Sequence, residues 1–88
     1  MPSVNKGSGE IKELRAKIDN IDNTLGELLL QRYYLSKKIQ TLKISKKLPA
    51  TDLSRETEIV KIMKSKFPAI PTETIQNLYS EIFNWMRG

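Results

Sequence analysis

Eighty-eight residues allow a single domain with a thin core, and the chain has neither cysteine nor histidine to staple it by disulfide or zinc. The same absences exclude Ser-His and Cys-His nucleophilic catalysis and general base catalysis by imidazole. Fifteen Lys and Arg against ten Asp and Glu leave a net charge of +5, which favours an anionic partner: nucleic acid, a lipid surface or a small acidic metabolite. Any chemistry rests on Arg, Lys, Glu and Asp acting through charge and hydrogen bonds, which suits an anionic transition state without proton transfer. A carboxylate-only metal site remains open. No apolar run reaches the ~20 residues of a membrane span. The opening MPSVNKGSGE lacks the apolar stretch of a signal peptide, so the expected compartment is the cytoplasm.

In chain order, residues 1–9 are polar and contain glycine, and are expected to form a flexible tail before a domain over 10–88. Ser8 is placed to cap the first helix, with Glu10 in its first, positive turn. From Ile11 the apolar residues follow a 3-4 repeat: Ile11, Leu14, Ile18, Ile21, Leu25, Leu28, then Leu35, Ile39 and Leu42. This heptad seam runs without proline and predicts a helix of roughly 50 Å. A globular monomer of this size has a radius of gyration of about 12–13 Å, so the helix is expected to project beyond its own domain and pack on another chain. Leu29, Leu30, Tyr33 and Tyr34 widen the stripe in mid-helix.

One seam position is polar. Between Leu28 and Leu35 the repeat calls for an apolar residue, and the sequence has Arg32. A guanidinium there is costly unless an anion pairs with it. That anion is either a ligand or an acidic residue of the partner helix; the third option is an exposed position at a change of register.

The first helix is expected to end between Ile44 and Lys47, before a basic loop leading to Pro49. Thr51 or Asp52 caps a second helix to about Phe67, with Leu53, Val60, Met63 and Phe67 on one face and Ile59 and Ile62 beside it. The prolines of FPAIPT force a turn. Thr72 is then expected to cap a third helix carrying Ile75, Leu78, Tyr79, Ile82, Phe83 and Met86. The fold class is all-α, one long helix and two shorter ones.

Lys43 lies three turns beyond Arg32 on the same face, and Arg15 shares the heptad flank of Lys43. Arg15 and Lys43 are about 42 Å apart along a straight helix. If they serve one site, that site is shared between two antiparallel copies.

The pattern LRAKIDNID, LLLQR, Lys43 and PATDLSRE resembles that of the all-helical (AroQ-class) chorismate mutases. The corresponding polar residues are Arg15, Arg32, Lys43, Asp52, Arg55 and Glu56, with family-like spacing over Glu10 to the end of the chain. The resemblance implies an intertwined antiparallel homodimer that rearranges chorismate, a dianion, to prephenate on the shikimate route to Phe and Tyr. No cofactor or metal is implied, and neither nucleic acid nor membrane is an expected partner. It further implies that Arg32 and the Arg15 of the partner subunit clamp the two carboxylates. Lys43 then reaches the ether oxygen, Arg55 supports the same anionic end, and Glu56 accepts from the substrate hydroxyl with help from the Asp52 region. Arg32, Lys43 and Glu56 are the residues implied to be catalytic.

Each assignment has a plainer alternative. Asp52 can be only an N-cap, Arg55 and Glu56 can be first-turn residues, and Lys43 a solvated lysine at a helix end. The third helix departs from the family pattern. The slots for a small polar residue and, four positions on, a Gln or Glu fall at Met86 and two positions beyond Gly88. Asn84 substitutes only if the helix is shifted. The expectation is therefore a domain trimmed from a longer protein or a weakened mutase, since one such donor is worth ~3–4 kcal/mol of transition-state stabilisation. Two alternative functions are an isochorismate pyruvate lyase of the same fold, which the FNW segment faintly suggests, and a non-catalytic basic coiled-coil or nucleic-acid-binding module. The D-x-x-R-E turn at Asp52 to Glu56 favours the mutase over both.

Overall fold

The computed structural model describes residues 2–49 and 51–87, with side chains from Ser8 onward. Three helices follow one another, α1 (Pro2–Ser45), α2 (Leu53–Lys66) and α3 (Thr72–Arg87), and no strand occurs among the described residues. None of these helices is long and apolar enough to cross a membrane. The chain divides into two units, Met1–Tyr34 and Leu35–Gly88.

In the first unit α1 is already helical at Pro2. Ser8 and Glu10 therefore lie inside the helix, and the expected cap at Ser8 is not made. Proline is favoured at a first helical position because its missing N–H would have no helical partner there. Once a helix is nucleated, adding a polar residue costs little. The seam side chains Ile11, Leu14, Ile18, Ile21, Leu25 and Leu28 are each 52–65% exposed. Leu29 and Tyr33 are half-buried, and the rings of Tyr33 and Tyr34 meet edge to face at 5.6 Å.

The second unit holds the end of α1 with α2 and α3. Helix α1 stops where Lys47 takes φ 57°, the left-handed conformation that glycine adopts without strain. Leu48 N–H then folds back to Lys43 O at 2.8 Å and Lys47 N–H to Ile44 O at 3.2 Å, satisfying carbonyls left open by the helix end. The turn between α2 and α3 closes through Ile70 N–H to Phe67 O at 3.0 Å, with Pro68 at the position its fixed φ suits. Ile75 N–H donates to Pro71 O at 3.1 Å. Pro71 thus takes the capping place expected of Thr72, which is the first residue of α3.

Helices α2 and α3 pack together. The buried apolar residues among those described are Ile75, Ile82 and Met86, all on α3. Ile59, Val60 and Met63 of α2 are half-buried, while Leu53 and Phe67, at the two ends of the expected face, stay exposed. Tyr79 and Phe83 are half-buried, with ring centroids 5.7 Å apart. Gln40 of α1 donates from Nε2 to the carbonyl of Met86 and accepts from Lys37 Nζ at 3.4 Å. This bond ties the last turns of α1 to the end of α3.

Lys47→Gly is expected to raise stability by roughly 0.5–1 kcal/mol, the relief of left-handed strain less the entropy of glycine. Chemical unfolding measures it; a lower midpoint with an unchanged slope would show that Lys47 makes compensating contacts.

Candidate active site

The loop after α1 and the start of α2 form the first part of the site. The Asp52 carboxylate accepts from Arg55 N–H at 3.0 Å, and Asp52 O accepts from Glu56 N–H at 3.1 Å. Asp52 is therefore the N-cap of α2. A short acidic side chain satisfies an open N–H there and suits the positive end of the dipole. The cap also sets the register in which Arg55 and Glu56 leave the helix. Lys43, half-buried in the last turn of α1, lines a groove of about 530 Å³ together with Leu48, Pro49, Asp52 and Ser54. The structure thus brings Lys43 and Asp52 to one concavity.

Arg55 and Glu56 are adjacent in sequence but have different partners. Arg55 Nη1 donates to Glu58 Oε1 at 2.9 Å, an exposed pair one turn along α2. Exposed pairs of this kind contribute little, so the guanidinium is readily turned to another anion. Glu56 is half-buried and lines a second groove, about 610 Å³, between α2 and α3, with Val60, Phe83, Asn84 and Arg87. Its carboxylate is gripped by Arg87, whose Nε donates to Oε2 at 2.9 Å and whose Nη2 donates to Oε1. Accepting these bonds, Glu56 pushes the Arg87 guanidinium above its ordinary range; desolvation opposes this and the Coulombic attraction of Glu56 adds to it. Because the shift is upward, the arginine side of the pair keeps its charge until strongly alkaline pH.

The remaining two cations belong to the first unit. Arg15 is exposed on α1, and Arg32 is half-buried at its seam position. Arg87 was not legible as a site residue. A cation in a last helical turn ordinarily serves the dipole, and its partner lies 31 residues away in sequence. Asn84, offered above as a substitute donor, accepts from Arg87 Nη1 at 3.3 Å through Oδ1.

Residues 14–88 match the family described as chorismate mutase type II. The chain belongs to that family. It is 35% identical over 80 residues to a bifunctional chorismate mutase/prephenate dehydratase of Aquifex aeolicus (strain VF5), a match covering 85% of this chain. The same match spans 22% of that longer relative. No solved structure matches the chain.

Asp52→Ala is expected to cost about 1 kcal/mol through loss of the cap, whereas Asp52→Asn keeps the cap and costs little. Urea unfolding of both variants checks this. Equal destabilisation by the two would mean that the carboxylate charge matters more than the capping geometry.

Proposed function

We propose that this domain catalyses the rearrangement of chorismate to prephenate, a step toward phenylalanine and tyrosine. The observation that carries the reading is a pair of half-buried cations, Arg32 and Lys43, on the apolar-seamed helix of a chain belonging to the chorismate mutase type II family. Of the two activities in the relative's name, the mutase is the one that corresponds to the matched family. As an enzyme of amino-acid biosynthesis the protein belongs, in this reading, to the cytoplasm, with its catalytic domain over 10–88.

The reaction is unimolecular and pericyclic. Its transition state separates charge across a breaking ether bond, and no acid, base or covalent intermediate takes part. The protein's task is to hold the dianion in its compact reactive conformer and to stabilise the developing charge. Arg32 and Arg15 pair with the two carboxylates, Lys43 donates toward the ether oxygen, and Arg55 adds charge at the same end. Glu56 accepts from the ring hydroxyl, and Asp52 sets the turn from which both Arg55 and Glu56 project.

The site is proposed to form within a two-fold homodimer of antiparallel α1 helices. Arg15 and Lys43 lie 28 residues apart on α1, so the Arg15 that completes a site comes from the second copy. The exposure of the apolar seam residues in the single chain supports this, because an apolar stripe of this length marks a surface made to be covered.

Purified protein should convert chorismate to prephenate, followed by the loss of chorismate absorbance and by identification of the product; no turnover would overturn the reading. Arg15→Ala and Arg32→Ala proteins should each be nearly inactive. Refolding an equal mixture makes about half of the dimers mixed, each with one intact site of two, so activity should recover to roughly a quarter. No recovery, with subunit exchange shown by mass, would place both arginines in the site of one chain.

A further inference from the structure

Arg87 and Glu56 form a fork-to-carboxylate pair between the last turn of α3 and the first turn of α2. Stability is not its whole effect. The side chains are 38% and 19% exposed, so the guanidinium is partly screened by water and its gain in folding energy is modest. Nor does either residue need the other for its helix: Glu56 suits the α2 N-terminus and Arg87 the α3 C-terminus independently. The effect of the fork is geometric. Two parallel N–H donors fix the plane of a carboxylate, which a lone ammonium does not. The third guanidinium nitrogen, bonded to Asn84 Oδ1, in turn holds the fork. A carboxylate oxygen has two acceptor positions, so with one on each oxygen taken by Arg87, each oxygen keeps one for a further donor.

We propose that Arg87 is a positioning residue whose fork holds the Glu56 carboxylate in the orientation from which it accepts the ring hydroxyl of the substrate. The proposal rests on the mutase reading of Glu56. Without the fork, Glu56 has three freely rotating bonds to order at each binding event, and the hydroxyl contact loses strength. Arg87 thereby sets selectivity for a hydroxyl-bearing substrate without touching it.

The test compares kcat/KM for chorismate with kcat/KM for an analogue in which hydrogen replaces the ring hydroxyl. In Arg87→Ala the preference for chorismate should fall roughly tenfold, the scale of a charge-assisted hydrogen bond. The loss should appear mainly in KM, since the contact is made in ground and transition states alike. Glu56→Gln should lose the same preference, and Arg87→Ala added to Glu56→Gln should change it no further, as expected for two residues acting through one contact. Arg87→Lys keeps the last-turn cation but not the fork, and should resemble Arg87→Ala while retaining the unmutated helical content and unfolding midpoint. Full preference in Arg87→Lys or in Arg87→Ala, with Glu56→Gln impaired, overturns the positioning role alone. Unchanged preference in Glu56→Gln overturns the assignment of Glu56 and this proposal with it. Failure of the unmutated protein to rearrange chorismate overturns the mutase reading itself.

Discussion

An apolar seam that its own chain leaves in water is the constraint on which the rest of this structure depends. From Ile11 to Leu42 the apolar heptad positions of α1 stay more than half exposed, while the buried apolar residues among those described are three side chains of α3. Apolar burial is the main favourable term in folding, and small chains bury little of it unaided. In the proposed dimer, a second copy laid antiparallel along α1 covers the seam and delivers Arg15 to a site it does not otherwise reach. Stability and catalysis have, in that proposal, a common origin. In the proposed site Arg32 fits the same logic: a cation on an apolar seam is tolerated where an anion meets it, and the dianionic substrate would be one such anion.

The second unit supplies the counterpart. The left-handed Lys47 stops α1 just beyond Lys43, and Asp52 starts α2 just before Arg55 and Glu56. Two helix ends a few residues apart therefore determine where four of the proposed site residues fall. Lys43 and Asp52 line one groove, and Glu56 lines another with Arg87. In the proposed site, the ion pair with Arg87 holds the Glu56 carboxylate before substrate arrives, which is where electrostatic catalysis has its advantage.

What was legible in the sequence followed from periodicity. The seam of α1, the apolar positions Ile75, Ile82 and Met86 of α3, the proline turn and the Asp52 cap all depend on residue type at a local spacing, and all are present. The beginnings of helices were less legible. Proline at position 2 starts α1 where a polar tail and a Ser8 cap were expected, and Pro71 takes the capping place expected of Thr72. In both cases tertiary or propagation effects outweigh a weak local preference. The left-handed Lys47 carries no compositional signal, since glycine is the usual occupant. Arg87 was invisible for another reason: its role depends on Glu56, 31 residues earlier, and no local pattern encodes such a pair. The polar residues proposed for the site stand out as a set only through family resemblance, and Asp52 alone also through its capping chemistry.

The claim that α1 requires a second copy is tested most directly by the dependence of unfolding on protein concentration. If the folded chain is inseparable from its dimer, dilution favours the unfolded monomer by mass action. The urea midpoint, followed by helical circular dichroism, should then rise steadily with concentration across at least two decades, and dimer mass should be lost in step with helix. A midpoint independent of concentration, with a folded monomer by sedimentation equilibrium, would contradict the account.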